Sequence, residues 1–382
     1  MEKILIIHNN YQDIGGEDIA VENEIKLLSK YFDVRVIYFS NNINNFIKQF
    51  FYFLINRNLE SEKLLEKEIS EFNPDFAYVH NTWFKASLGV FSVLKKRKIK
   101  TIVKLHNFRY DCTRSYFRNQ HFKDEIFCQK CGLYKSDSPL INKYFKESFL
   151  KSFLVNYYGK KYFQILKNSK FKIFFLKNFH KKYLLSIGFK EERLYVYPNY
   201  IEKKEFKSDK NKSNNIIYAG RTSKEKGVEE LIETFLLTGL EDFTLNIIGK
   251  GPDLEFYKKK YLDSRVKFLG QLPNVEVLNL ISKSYLIIST TKLYEGQPTL
   301  LCEASASGIP SIFPLTGGID EFFPEKYKLS FKQYDYEDLK LKILLSVDKD
   351  LNVKMGKENK EYINKHLDEK TLVENFVSFL NE

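Results

Sequence analysis

The segment YAGRTSKEKGVEELIETF sets Arg221 directly behind an apolar run that ends at Gly220, with Lys226 five residues later at the start of a helical pattern. An arginine and a lysine at a strand end, beside a helix N-terminus, converge on one anion, and a diphosphate suits the pair. Of the 61 basic residues only nine are arginine, so a planar guanidinium here signals more than generic charge. The plain alternative is a solvated basic loop. A second stretch, YEGQPTLLCEASASGIPSIFPLTGGIDEF, follows the run LIIST and carries Glu295 and Glu303 on either side of seven residues. Pro298 suits the first turn of a helix running to Gly308, which leaves Glu295 in the preceding loop and Glu303 about one turn inside. The N–H groups of Thr299 and Leu300 are then expected to be unpaired and to form an anion site. The carboxylates can accept hydrogen bonds from sugar hydroxyls beside it, or serve only as a helix cap and a surface acid.

Other residues join these. Gly15 and Gly16 in HNNYQDIGGED fall at a strand-to-helix turn, where glycines admit a phosphate to the backbone or supply a positive φ. Arg109, Arg114 and Arg118 crowd three arginines into ten residues and could hold a phosphate on an acceptor or brace their loop. Cys128 and Cys131 form one CxxC that, with Cys112 and His121, could make a Cys3His structural zinc site, although one such pair is half the usual pattern. Lys143, Lys146 and Lys151 alternate with Phe145, Phe149, Phe153 and Tyr157 at helical spacing. Such a helix can lie on an anionic bilayer, whereas an aromatic stripe is more often core. His8, His180 and His366 read as structural, and His80 in YVHNTW as a cleft-edge residue of unknown role.

These residues must be positioned by a repeating framework. Strand-like runs at Ile4–Asn9, Val34–Ser40, Phe76–Asn81, Thr101–Asn107, Lys172–Leu176 and Leu194–Pro198 alternate with helical stretches, and the alternation resumes at Ile216–Ala219, Thr244–Ile248, Val266–Leu269, Leu286–Ser289 and Ser311–Phe313. Near-continuous apolar strands separated by helices predict parallel sheets covered on both faces. The fold class expected is α/β, with two Rossmann-like doubly wound domains facing across a cleft. The expected divisions are a first domain at 1–200, a polar linker at 201–215, a second domain at 216–366, and a closing helix at 367–382 that can pack back on the first domain.

Composition narrows the classes. A chain of 382 residues, 43% apolar and 29% charged, exceeds one compact core and is not disordered. The apolar run Phe50–Ile55 is too short to span a bilayer, and MEKILIIHNN has no signal-like core. Four cysteines do not make a disulfide scaffold, and a cytoplasmic site is expected. Residues 1–200 hold 34 Lys and Arg against 20 Asp and Glu, while residues 201–382 hold 27 against 29. The excess charge therefore belongs to the first half, which points to a phosphorylated substrate, an anionic membrane or nucleic acid. No nucleic-acid reader motif accompanies it, and nucleic acid is not expected as a partner.

Taken in order, the GG loop, LHN, YPN, GRxxxEKG, IIGKGP, EGQPTLLCEA and GIPSI with its following GG resemble the retaining family-four glycosyltransferases of the GT-B fold, over nearly the whole chain. The resemblance implies a nucleotide-diphosphate sugar, UDP- or GDP-linked, as donor substrate and no required cofactor. It implies Arg221 and Lys226 on the diphosphate, Glu303 on the ribose, Glu295 on donor-sugar hydroxyls, the amides near Thr299 and Leu300 on phosphate or sugar, and Gly15 and Gly16 closing from the other domain. His106 matches the histidine that such enzymes set near the sugar. Gln297-Pro298 departs from the aromatic and glycine found in many members, which leaves the sugar open. The expected acceptor is a saccharide, lipid-linked in a bacterial surface polysaccharide pathway, reached at the inner face of the membrane. The alternatives are a nucleotide-sugar epimerase or sugar phosphorylase on the same architecture, or a non-catalytic partner subunit.

Overall fold

The protein was analysed as a computed structural model that describes residues 1–11, 15–41, 46–113, 127–130, 132–133, 145, 148–202 and 213–382. The expected linker centre, 203–212, and Arg114, Arg118, His121, Cys131, Lys143 and Lys146 lie outside the described residues. The chain divides into two compact units, Met1–Tyr200 with Glu369–Glu382, and Ile201–Asp368.

The first unit is built on β1 (Lys3–Asn10), β2 (Asp33–Ser40), β3 (Phe76–Val79), β4 (Lys100–Leu105), β5 (Lys172–Phe175) and β6 (Leu194–Val196). They pair in parallel in the order β2-β1-β3-β4-β5-β6. Ile4 to Ile7 are fully buried because helices cover both faces of the sheet, which is why β1 reads as an unbroken apolar run. The helices are α1 (Gly16–Leu28), α2 (Phe46–Ile55), α3 (Leu59–Phe72), α4 (Gly89–Lys96), the short α5 (Arg109–Cys112), α6 (Phe149–Asn168) and α7 (Asn178–Ser186). Asn58 caps α3 by accepting from the N–H groups of Glu60 and Ser61, and Asn73 ends it at φ +50, a conformation Asn tolerates better than most residues.

One side of α6 enters the core through Leu154, Val155, Tyr158, Tyr162, Phe163 and Leu166. Its other side is the aromatic stripe, and here the commoner expectation of a core role fails: Phe149, Phe153 and Tyr157 are exposed, while Phe145 alone packs partly against the core. The physical reason is angular, because Phe149, Phe153 and Tyr157 recur every four residues along the face opposite Tyr158 and Tyr162. The run Phe46–Ile55, without a helical assignment in the sequence, is α2; its Phe53 ring lies 5.9 Å from that of Tyr158.

The second unit contains β7 (Asn215–Ala219), β8 (Thr244–Ile248), β9 (Val266–Gly270), β10 (Leu286–Ile288), β11 (Ser311–Leu315) and β12 (Ser330–Lys332), with α8 (Val228–Leu236), α9 (Leu254–Lys260), α10 (Asn274–Ser282), α11 (Thr299–Ala306), α12 (Tyr336–Ser346) and α13 (Lys349–His366). Its strands also run parallel, in the order β12-β11-β10-β7-β8-β9. The chain then returns to the first unit as α14 (Glu369–Asn381), which buries Leu372, Val373, Phe376 and Leu380 against Ile4, Ile6, Tyr78 and Phe174. Each such side chain stabilises the unit by about 1.5–3 kcal/mol.

Candidate active site

In an open parallel sheet, ligands bind beyond the carboxyl ends of the strands where the strand order reverses. In the second unit that point lies between β7 and β10, because the chain proceeds outward from β7 to β8 and β9, and from β10 to β11 and β12. The loops after these two strands carry Arg221 and Lys226 on one side and Thr290, Thr291 and Glu295 on the other. Lys226 Nζ donates to Glu295 Oε1 at 2.5 Å, and Thr291 Oγ1 donates to the same oxygen at 2.7 Å. Thr290 Oγ1 bridges the main-chain oxygens of Lys226 and Gly227 at 3.1 and 2.8 Å. Gly227 is required there: its φ is +67, and a Cβ would stand 2.2 Å from the Thr290 oxygen. Two loops far apart in sequence are thereby locked together and hold a cation against a carboxylate.

Arg221 sits at the outer edge of this group. Its side chain is exposed, and its carbonyl accepts from Tyr218 Oη at 2.9 Å. The loop Gly249–Gly251 braces it from behind, with Gly220 N–H donating to the Ile248 oxygen at 2.9 Å and Thr222 N–H to the Lys250 oxygen at 3.1 Å. A Cβ on Gly249, whose φ is +133, would fall 1.9 Å from the Gly220 oxygen. Sequence reasoning assigned no role to Thr290, Thr291 or Gly249, and the signal for all three is position, immediately after an apolar strand.

The α11 start corrects one expectation. Pro298 is the cap and Thr299 the first helical residue, but the Thr299 N–H donates to the Gln297 oxygen at 2.8 Å. A tight turn before the helix uses that donor, so of the expected pair Leu300 N–H is the amide left to an anion. Glu303 lies in the second turn and is 9% exposed. Behind it, Gly317 at φ +55 would bring a Cβ to 3.0 Å from Tyr294 Cα, so the glycine pair after β11 lets that loop close on the residue before Glu295.

In the first unit the order reverses between β1 and β3. Asp18 organises the loop after β1: Oδ2 accepts from Gly15 N–H at 2.8 Å, and Oδ1 bonds His8 Nε2 at 2.9 Å. Burial pushes this carboxyl up, but the bonds from His8, Gly15 and Tyr11 outweigh it and hold it below the usual aspartate value. Gly15 itself is extended, at φ −118, and a Cβ on Gly16 would meet no atom within 4 Å among the described residues. Neither backbone strain nor internal crowding among the described residues accounts for the two glycines.

His106 follows β4 and is half-buried, with Nε2 3.0 Å from Nδ1 of His80, which follows β3. Burial and the nearby Lys104 cation keep His106 well below the ordinary histidine value, so it is neutral. Next to it Asn107 Nδ2 and Tyr11 Oη both donate to Glu17 Oε2, at 3.2 and 2.9 Å. Burial raises the Glu17 pKa. Arg109 stands over the rings of Tyr11 and Trp83, 5.8 and 5.7 Å from their centres. Of the four residues expected for zinc, Cys112 and Cys128 are the ones described. Cys128 Sγ lies 3.4 Å from Cys112 Sγ. Among the described residues no group of three or more His, Cys, Asp or Glu could hold a metal ion, and no helix is long and apolar enough to cross a membrane.

Two doubly wound parallel units of this kind define the GT-B class. Sucrose-phosphate synthase from Thermosynechococcus elongatus superposes with a TM-score of 0.71 at 16% identity, over 100% of this chain and 98% of that one. Anabaena HepE in complex with UDP-glucose gives 0.69 at 16% identity, over the whole of both chains. At such identities the likeness establishes the fold. Residues 200–362 match the family described as Glycosyl transferases group 1. Among curated relatives, N-acetyl-alpha-D-glucosaminyl L-malate synthase of Bacillus anthracis is 30% identical over 139 residues, 35% of this chain and 36% of that protein. O-antigen biosynthesis glycosyltransferase WbnH of Escherichia coli is 26% identical over 152 residues, 38% and 41% of the two. The chain spans well under half the length of the curated relatives it matches.

Proposed function

We propose that the chain is a retaining glycosyltransferase that moves a sugar from a UDP- or GDP-sugar to a saccharide acceptor in bacterial surface-polysaccharide synthesis, with no required metal. The observation that carries this reading is the Lys226–Glu295 contact at the reversal point of the second sheet, beside an exposed arginine and a helix start. The family of the second unit, the name of WbnH and the UDP-glucose held by HepE support it.

Arg221, Lys226 and the Leu300 amide face the diphosphate, Glu303 the ribose, and Glu295 the hydroxyls of the sugar. When the bond from the anomeric carbon to the phosphate oxygen breaks, its electron pair passes to the diphosphate. Fixed cations and an amide that meet this charge lower the barrier without reorganising. The acceptor oxygen bonds the same face of the anomeric carbon, and its proton passes to a leaving phosphate oxygen. Glu295 Oε1 already accepts from Lys226 and Thr291, which favours a role in hydrogen bonding over covalent attack. His106, Gly15 and Gly16 serve the donor from the first unit, and Arg109 the acceptor.

The acceptor is lipid-linked in this proposal, and the enzyme works at the cytoplasmic face of an anionic membrane. Phe50, Phe51, Leu54 and Ile55 on α2 are exposed, as are Phe149, Leu150, Phe153 and Tyr157 on the adjoining α6. Neither helix contains Asp or Glu, while Lys48, Lys151 and Lys160 are exposed on them. An apolar face edged with lysine suits anionic lipid. The test is transfer of labelled sugar from UDP- and GDP-sugars to a lipid-linked saccharide in anionic vesicles. Transfer that is lost in Arg221→Ala supports the assignment; use of neither donor refutes it.

A further inference from the structure

His80 had no role in the sequence, and its surroundings give it one. It is 3% exposed, its N–H donates to the Ile7 oxygen at 3.0 Å, and its ring lies 4.4 Å from that of Tyr78 and stacks 5.3 Å from that of His106. Nδ1 meets His106 Nε2, whereas Nε2 is buried without any hydrogen-bond partner. His106 differs in being half-buried, and its Nδ1 is not among the buried unpartnered atoms.

Burial holds both imidazoles well below the ordinary histidine value, with the Lys104 cation adding to it, so both are neutral. Two neutral rings joined by one hydrogen bond have two arrangements, because each carries one proton. If His106 donates from Nε2, the proton of His80 must sit on its own Nε2, as a buried N–H with no acceptor. If His80 donates from Nδ1, its Nε2 is a bare lone pair. Among buried backbone groups an orphaned N–H is a rarer defect than an under-satisfied acceptor; by the same ordering for the ring nitrogens, the second arrangement is the one that avoids a buried N–H without an acceptor.

We infer that His80 is a positioning residue that donates Nδ1–H to His106 Nε2, fixes His106 with its own proton on Nδ1, and so makes His106 a hydrogen-bond donor to the sugar. The last clause rests on the placement of His106 at the donor sugar proposed above. The consequence is a selection rule. The group of the sugar that faces His106 must offer a lone pair, as a hydroxyl or carboxylate oxygen does and an ammonium does not, and His106 does not act as a general base.

The test uses the full chain labelled with 15N-histidine, in long-range proton–nitrogen spectra that distinguish protonated from bare ring nitrogens. The signals of His106 are identified by their loss in His106→Asn. The expected wild-type result is a protonated Nδ1 and a bare Nε2 on His106, and the same on His80. A proton on Nε2 of either ring overturns the inference, and so does a His106 that titrates near neutral pH. His80→Phe removes the donor and is expected to mix the two forms of His106 and lower kcat/KM by about tenfold, the size of one hydrogen bond. His80→Asn, whose amide N–H falls near the place of Nδ1, should restore both the spectrum and most of the rate. A mutant rate unchanged in His80→Phe overturns the positioning role even if that variant keeps its fold. The wild-type spectrum reads the ring pair without any substrate, so a protein with the expected protonation and no transfer refutes the proposed function and not the hydrogen bond.

Discussion

Lys226 and Glu295 make a testable pair because their effects should not add. Their side chains are 27% and 26% exposed, and the contact is 2.5 Å, so the ion pair is partly shielded from solvent. Lys226→Met removes a charge-assisted contact to the diphosphate, about 1.5–3 kcal/mol, which is roughly 10- to 150-fold in donor affinity or rate. It also takes the Lys226 cation away from the Glu295 carboxylate, which then repels an anionic donor more strongly. Adding Glu295→Gln to Lys226→Met removes that repulsion, so donor affinity should recover by at least about threefold over the single Lys226→Met variant, within the range of about 0.5–3 kcal/mol usual for contacting residues. Turnover should not recover, because Glu295 is still missing from the sugar. The assay is calorimetric titration of all four proteins with the active nucleotide sugar, with single-turnover rates measured alongside. Donor affinities that multiply as independent factors would show that the pair does not lie at the diphosphate.

Gly249→Ala should weaken donor binding and lower stability by about 1–3 kcal/mol, since its φ of +133 and the 1.9 Å approach to the Gly220 oxygen force the Arg221 loop to move; urea unfolding and donor titration measure both. Phe51→Glu with Phe153→Glu should release the protein from anionic vesicles in sedimentation while leaving its unfolding midpoint nearly unchanged, because both rings are exposed; retained binding would remove α2 and α6 from the membrane reading. Stability should fall on acidification: burial pushes His180 down to about 3 from 6.5, so below about pH 6.5 the unfolded chain binds a proton that the folded one refuses, at about 1.4 kcal/mol per pH unit. His180→Phe should lessen that slope in urea titrations between pH 7 and 5, part of the remainder belonging to His80 and His106, which burial also holds below the ordinary value. Chelator should leave transfer intact, and strict dependence on added Mg2+ or Mn2+ would contradict neutralisation by Arg221 and Lys226.

The layers of the fold were legible because parallel strands buried on both faces leave runs such as Ile4 to Ile7 and Leu245 to Ile248 that a helix period does not produce. The strand-end positions of Arg221 and Glu295 were legible for a related reason, since each lies in the loop that follows such a run. What stayed hidden were relations across distance. Lys226 and Glu295 are 69 residues apart and His80 and His106 are 26 apart, and only the adjacency of β7 with β10 and of β3 with β4 brings them together. The α11 start was misjudged at Thr299 because a residue two positions earlier takes its N–H, a turn that spacing alone does not reveal. The Phe50–Ile55 run failed as a signal because a short apolar run reads alike as strand or buried helix, while here part of it faces outward.

The most direct test of the central claim needs no acceptor. The protein is heated with UDP-, GDP- and ADP-sugars in turn, for wild type, Arg221→Ala and Lys226→Met. A ligand at 100 times its Kd stabilises the folded state by about 2.7 kcal/mol. One UDP- or GDP-sugar should raise the wild-type Tm clearly, and that rise should shrink in both variants, whose unliganded midpoints stay close to wild type. No stabilisation by any nucleotide sugar, or equal stabilisation of all three proteins, would contradict a donor site built on Arg221, Lys226 and Glu295.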